Sequence, residues 1–250
     1  MNTSAAFASQ ARDYCRVDFI SMVEKYKKIL DSPGVWSLKS SMAQAMRAAD
    51  YYGIAGSSNA RFSARLPDWP DILLIHCAPC WATAKAEDVV AFTSAGVRLE
   101  AVGDFDSEVA AAHIGMHAVS GRDWVLHVYS HHVIESVARG GNDICDTLAK
   151  LSRRDDERAV QSHGYGQAWH SEEKGKALYS KEGTEILLLA QSGIGVCANS
   201  LKYAFDDLYH LERFFLANHL LQASNVAPAV VSGQLSLLLC AQFDVGRAFS

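Results

Sequence analysis

Short apolar runs that alternate with helix-like segments constrain the fold of this chain more than any other feature. Each run has four to six residues, which is the length of a buried strand. The runs are Ile72–Ile75, Val89–Phe92, Trp124–Tyr129 and Glu185–Ala190. The helix-like segments are Asp18–Leu30, Leu38–Tyr52, Val109–Ser120, His131–Arg139, Cys145–Leu151 and Leu201–Ala223. No repeat, low-complexity tract or linker divides them, so the pattern predicts one α/β domain over residues 1–250.

The composition is that of an ordinary globular protein. Of the 250 residues, 49% are hydrophobic and 20% are charged, which excludes a disordered chain. The formal net charge of −5 argues against a nucleic acid as the main partner. No run of eighteen apolar residues and no secretory signal pattern are present, so we expect no membrane span. The six cysteines are spread along the chain, which favours a reduced, cytoplasmic setting.

The stretch 106–132 holds the densest group of titratable side chains. It contains Glu108 and five of the ten histidines, and its apolar run leads into His127-Val128-Tyr129-Ser130-His131-His132. Polar groups at the carboxyl end of a strand are where open α/β sheets usually bind ligands. A histidine cluster beside a glutamate suggests proton transfer or metal binding. The alternative is a set of solvated side chains at the start of a helix.

Two other motifs have both a functional and an ordinary explanation. Cys77 and Cys80 follow a predicted strand with the spacing of a redox or zinc pair. No second such pair exists, so two buried thiols beside a turn are favoured. The segment Ser57–Arg65 carries hydroxyl, amide and guanidinium groups that could hold an anion. The alternative is a solvated hairpin, in which the alternating piece Phe62–Arg65 is an edge strand.

His113 and His117 are four residues apart on the helix predicted after Glu108, so they share one helical face. Such a pair can bind a metal ion. Because no acidic side chain lies on the same turn, we expect the two rings to be exposed on the surface.

Several motifs over residues 40–220 resemble the class II aldolase/adducin family. The matching pieces are Phe62–Arg65, Ile72–Ile75, Glu87–Val90, Asp106–Glu108, Val125–Ser130, Leu187–Gly193 and Leu211–Glu212. They follow one another in the family's order, and Glu108 and His127 keep the family's separation. The resemblance implies a single three-layer α/β/α domain with a central, mainly antiparallel sheet. Residues 1–35 would form an N-terminal helical extension.

The resemblance also locates the metal-binding positions of the family. Its enzymes hold a divalent metal, usually zinc, with two imidazoles from a His-x-His motif and one from Asn-His-Gly. Those positions carry His127, Tyr129 and Ser192 here. One imidazole does not make a zinc site, so we expect no cofactor. The alternative is a divalent-metal site rebuilt from four other histidines: His76, His113, His131 and His132.

The phosphate-binding loops of the family have changed as well. The family's Gly-Asn is Ala60-Arg61 here, and its Thr-Pro-Ser-Gly is His76-Cys77-Ala78-Pro79. A phosphorylated sugar is therefore not implied as substrate, although a guanidinium can still bind a carboxylate. We expect seven residues to contact the substrate: Ser57, Asn59, Arg61, Ser63, Arg65, His76 and Ser192.

Glu108 matches the family's catalytic acid/base carboxylate. Without a metal, Tyr129, His127 and Arg61 are chemically able to stabilise an oxyanion. A partly buried Glu108 could then move a proton next to a carbonyl group. The resemblance thus implies a metal-independent lyase or isomerase that performs an aldol, decarboxylation, isomerisation or cyclisation step on a small carbonyl or carboxylate compound.

A non-catalytic, adducin-like structural or interaction module is the alternative to an enzyme. In either case the resemblance implies a homo-oligomer, commonly a tetramer with sites between subunits.

Overall fold

The computed structural model describes residues 24–54, 60–77, 80–100, 107–139, 160–163 and 184–224. Its long helices are α1 (Pro33–Tyr51), α2 (Ser107–Ser120) and α3 (Leu201–Ala223). Residues 24–30 and 131–139 are also helical. No described helix combines the length and the apolar character that a membrane span requires. The predicted helix Cys145–Leu151 and residues 1–23 of the N-terminal extension lie outside the described residues.

Helix α1 begins five residues earlier than the apolar pattern predicts. Ser32 is its N-cap and accepts a hydrogen bond from the Val35 amide at 3.4 Å, while Pro33 occupies the first helical position. Proline suits that position because its missing amide hydrogen would have had no partner there. The Ser32-Pro33-Gly34 motif is therefore the start of α1.

Seven strands in the described residues form one sheet. The strands are β1 (Arg61–Leu66), β2 (Trp69–His76), β3 (Val89–Thr93), β4 (Trp124–Val128), β5 (Val160–His163), β6 (Ile186–Leu189) and β7 (Gly193–Ala198). Their order is β3-β2-β1-β4-β7-β6-β5. All neighbours pair antiparallel except β5 and β6, which are parallel. The predicted mainly antiparallel sheet is confirmed.

Helices cover both faces of the sheet, which confirms the three-layer α/β/α prediction. On one face, α1 and α3 bury Met46 and Phe205 against strand residues such as Leu126. On the other face, Met116 of α2 packs against Val125 of β4. Successive side chains of a strand point to opposite faces, so the central strand β4, of which every residue is buried, is covered on both sides.

Strand β1 lies inside the sheet, so the prediction of an edge strand is wrong. It pairs with β2 on one side and with β4 on the other. Phe62 and Ala64 are fully buried against the α1 and α3 layer. Polar residues alternate with apolar ones in this segment, which is the pattern of a strand with one face in water. In the structure the polar residues face α2 instead.

Candidate active site

Four strand ends meet at one edge of the sheet, which we call the site edge. Strands β2 and β4 end there, and β1 and β7 begin there, because neighbouring strands are antiparallel. The register pairs Arg61 with His127, and His127 with Gly195. Directly paired residues project from the same face of a sheet. The side chains of Arg61 and His127 therefore leave adjacent strands side by side, on the face that α2 covers.

A hydrogen bond fixes the ring of His127, which is fully buried. Its Nε2 atom lies 2.9 Å from the carbonyl oxygen of Ser192. A carbonyl oxygen only accepts, so Nε2 carries the hydrogen and donates it. Gly195, opposite on β7, has no side chain to compete for the same space. The ring thus directs its N–H at the turn before β7.

A second group of polar residues, the Ser63 network, is buried between β1 and α2. The Oγ atom of Ser63 lies 2.6 Å from His113 Nδ1 and 2.9 Å from His117 Nε2. His117 Nδ1 is 2.9 Å from the carbonyl oxygen of Arg122 and must donate to it. The neutral His117 ring therefore accepts from the Ser63 hydroxyl, whose oxygen accepts from His113 Nδ1. The Arg122 carbonyl thus sets the tautomer of His117, and the hydroxyl then sets that of His113.

The expectation that His113 and His117 lie on the surface is wrong, because their side chains are 0% and 1% exposed. Burial lowers the pKa of His113 well below its usual value, with smaller contributions from His127 and His117. Burial also lowers the pKa of His117 to about 4, although its bond to the Arg122 backbone opposes the shift. Both rings are therefore neutral at pH 7.

Glu108 lies in the first turn of α2 and is exposed. Ala110, which follows on the same turn, packs against Ile75 just before the end of β2. This contact places the start of α2 over the site edge. The partial burial expected for Glu108 is not present in the single chain.

Tyr129 and Ser192 flank the site edge. Tyr129 follows β4, is half-buried and packs edge-on against His131, with 4.9 Å between ring centroids. Ser192 precedes β7 and is buried, and its Oγ atom makes no hydrogen bond within the described residues. The structure thus gathers Tyr129, Ser192, His127 and Arg61 in one place.

Other residues expected to contact substrate lie elsewhere. Arg65 donates from Nη2 to the His117 carbonyl at 2.7 Å, so its guanidinium holds the end of α2. His76 is fully buried, and strand alternation places it on the α1 and α3 face, opposite to Arg61. Burial, then the charge of Arg61, lowers the pKa of His76 to about 3. Ser57 and Asn59 lie outside the described residues.

The sequence matches the model of the class II aldolase and adducin N-terminal domain over residues 40–218. The chain belongs to the class II aldolase and adducin family. An aldolase II superfamily protein from Pseudomonas syringae is 19% identical, with a TM-score of 0.65 over 86% of this chain and 89% of that one. YgbL from Escherichia coli, a putative aldolase/epimerase/decarboxylase, is 20% identical, with a TM-score of 0.60 over 74% and 90%.

A third similar structure is the L-fuculose 1-phosphate aldolase from Glaciozyma antarctica PI12. It is 12% identical, with a TM-score of 0.62 over 82% of this chain and 80% of that one. No curated protein matches the sequence. At these identities the solved structures establish the class II aldolase fold for this chain.

The zinc ion of class II aldolases does not fit the residues at the site edge. The positions that the resemblance assigns to the zinc ligands hold one imidazole (His127), a phenol (Tyr129) and a hydroxyl (Ser192), and the imidazole donates its Nε2 hydrogen to a carbonyl. The positive charge of Arg61, which pairs with His127 across β1 and β4, opposes the binding of a divalent cation at this edge. Across the described ranges, no three His, Cys, Asp or Glu side chains are grouped to hold a metal ion.

Glu212, which the resemblance names only as part of a Leu-Glu pair, has a half-buried carboxyl group behind the site edge. Glu212 of α3 contacts the Ser130 hydroxyl, and burial raises the pKa of this carboxyl although that hydrogen bond opposes the shift. Ser130 also accepts from the Val133 amide at 3.2 Å and so caps helix 131–139. The sequence signal for this carboxyl group is a glutamate that directly follows Leu211, a residue of the apolar stripe of α3.

Proposed function

We propose that the chain is a lyase- or isomerase-type enzyme that acts on a small carbonyl or carboxylate compound without the family's zinc ion. Family membership supports the reaction class, since solved structures similar to this chain are described as a putative aldolase/epimerase/decarboxylase and as L-fuculose 1-phosphate aldolase. The residues at the site edge support the absence of zinc.

The pairing of Arg61 with His127 is the observation that carries this proposal. Arg61 brings a positive charge to the same part of the sheet as His127, the remaining metal-ligand position that the resemblance assigns. When a proton is removed next to a carbonyl group, negative charge develops on the carbonyl oxygen. A preorganised cation and nearby N–H and O–H donors can stabilise that charge. Arg61, His127 and Tyr129 supply such groups, and Ser192 adds a buried hydroxyl for orientation.

Glu108 is the proposed acid/base residue. Its carboxylate lies in the first turn of α2, where the helix macrodipole favours negative charge. The Ser63 network fixes α2 on β1 two turns later and so sets where Glu108 stands relative to His127. Ser63 and Arg65 thus act through α2, rather than on the substrate directly.

We also propose a cytoplasmic homo-oligomer, with a tetramer as the expected form. Glu108 is exposed in the single chain, and a neighbouring subunit over the start of α2 would give it the burial that proton transfer benefits from. The described cysteines Cys77, Cys80 and Cys197 are all free thiols, which supports a reduced compartment.

Hydrogen–deuterium exchange tests the proposal without knowledge of the substrate. Chelator-treated protein in D₂O is mixed with dihydroxyacetone, pyruvate or oxaloacetate, and loss of the α-proton signal is followed by NMR. We expect exchange or decarboxylation of at least one compound. Glu108→Gln should slow it by about 10²–10⁴-fold, and Arg61→Gln by about 10²–10³-fold. Glu87→Gln, which alters another exposed glutamate, is the matched control.

Two results would contradict the proposal in different ways. If reaction appears only after zinc is added and is lost in His127→Ala, the enzyme class stands but the metal-free mechanism does not. If no compound of the panel or of a wider set of small aldehydes, ketones and keto acids reacts, the adducin-like alternative is favoured. The exposure of Glu108 in the single chain is the observation that favours the non-catalytic, adducin-like alternative.

A further inference from the structure

A separate pair of histidines joins helix 131–139 to α3. The ring centroids of His132 and His219 are 5.1 Å apart, and the ring planes are inclined by 45°. Both side chains are half-buried, so they are close to each other and still open to solvent. Neither belongs to the groups gathered at the site edge.

Glu135 holds one ring of this pair in a defined tautomer. Its Oε2 atom lies 2.7 Å from His219 Nδ1, and its Oε1 atom is paired with the Arg139 guanidinium. A carboxylate only accepts, so Nδ1 carries a hydrogen, and in the neutral form of the ring the lone pair lies on Nε2. A carboxylate that orients a histidine in this way is the usual outer-shell partner of a metal-bound imidazole.

His132 is also in the form that binds metals. Partial burial, His219 and His131 lower the pKa of His132, and only Glu135 acts in the opposite direction. The ring is therefore neutral at pH 7, and a neutral imidazole is the metal-binding form. Its position three residues before Glu135 puts both side chains on the same face of the helix.

We infer that His132 and His219 together bind a divalent transition-metal ion such as zinc, with Glu135 in the outer shell. Two imidazoles on one tetrahedral ion, with metal–nitrogen bonds of about 2.0–2.1 Å, have centroids roughly 5 Å apart. That separation agrees with the 5.1 Å between these rings. Water completes the coordination, because the described residues place no third donor there and the Glu135 oxygens already have partners.

Such an ion links two helices that meet next to the site edge. Helix 131–139 follows directly on the Tyr129–Ser130 turn, and α3 carries Glu212 against Ser130. Zinc at His132 and His219 would tie these helices together and raise the melting temperature of the chain. The inference does not depend on the proposed reaction, since neither histidine takes part in it.

Calorimetric titration of the full, tag-free, metal-stripped chain with ZnCl₂ tests the site. We expect one ion per chain, loss of that ion in His132→Ala and in His219→Ala, and binding weakened by about 10–100-fold in Glu135→Gln. His210→Ala is the matched control, because His210 is also a half-buried histidine of α3 but pairs with Asp206. This variant and His127→Ala should bind zinc like the natural sequence.

A measurement on the unaltered chain guards against variants that fail to fold. Co²⁺ should broaden the imidazole NMR signals of His132 and His219 before those of the other histidines. The inference is overturned if zinc does not bind, if binding persists in both alanine variants, or if Co²⁺ leaves the two signals unchanged. Binding that is lost only in His127→Ala would overturn this inference and the metal-free mechanism together.

Discussion

Ser63→Ala is the substitution that most directly tests how α2 is held on the sheet. The hydroxyl is fully buried, and it joins His113 and His117 of α2 to β1 at 2.6 and 2.9 Å. Alanine keeps the backbone and leaves almost the same volume, so the change removes one oxygen atom and little packing. What remains is a buried donor on His113 Nδ1 and a buried acceptor on His117 Nε2.

The expected cost follows from the two groups left behind. A buried polar group without its partner costs about 1–3 kcal/mol, so two such groups should lower the free energy of unfolding by about 2–6 kcal/mol. The lower part of this range applies if one ring turns to a new partner. A loss of this size is a large fraction of the stability of a typical domain.

Urea denaturation followed by circular dichroism measures the effect. Ser41→Ala is the matched control, because Ser41 makes a comparable hydrogen bond to the Ser37 carbonyl at 2.9 Å on the exposed side of α1. This control should change the free energy of unfolding by no more than about 0.5 kcal/mol. If Ser63→Ala lowers the free energy of unfolding no more than Ser41→Ala does, at an unchanged denaturant slope, then the Ser63 hydroxyl does not fix the two rings.

Three further expectations concern stability. The pKa of His117 is lowered to about 4 and that of His76 to about 3, so below pH 6.5 the unfolded chain binds more protons than the folded chain. The protein should therefore unfold at lower urea concentrations as the pH falls from 6.5 to about 4. Equal stability at pH 7 and pH 5 would contradict this. Because the pKa of Glu212 is raised, its protonated carboxyl group stabilises the fold fully below pH 4.5, and this stabilisation is lost as the pH rises. Glu212→Gln should therefore gain stability relative to the natural sequence between pH 5 and 8. A stability difference between the two proteins that does not change with pH would contradict this. Gly193→Ala should lower the free energy of unfolding, measured by thermal denaturation, by at least about 3 kcal/mol. The φ angle of Gly193 is +98°, and a Cβ atom there would collide with the backbone. Gly34→Ala should be tolerated, because a Cβ atom at Gly34 would have no atom within 4 Å.

The sequence was sufficient for the layers of the fold but not for the place of every strand. Apolar runs such as Ile72–Ile75 are buried on both faces, so composition alone marks them as strands. Strand β1 was placed at an edge because its polar residues alternate with apolar ones. Alternation shows that one face is polar, but it does not show whether water or a polar helix face covers it.

The same limit applies to the candidate site. Glu108, His127 and Tyr129 are proposed as site residues because short motifs carry the family pattern. The role of His113 and His117 was missed, because their partner Ser63 is about fifty residues away in the sequence. A helical pair of histidines has no local feature that distinguishes a solvated pair from one held by a buried hydroxyl. The position of Arg61 beside His127 likewise depends on strand register, which sequence spacing does not give.

The register of β1 against β4 has a consequence for engineering this chain into a zinc enzyme. Tyr129→His with Ser192→His would give the three imidazoles that the resemblance implies, yet the positive charge of Arg61, which pairs with His127 in the sheet, would remain. A unit charge next to a divalent ion in a partly buried site opposes binding by several kcal/mol, on the order of thousandfold in affinity. Arg61 would have to be replaced by a neutral side chain before the two histidines could be useful. The order in which substitutions are introduced therefore decides whether any intermediate variant gains metal affinity.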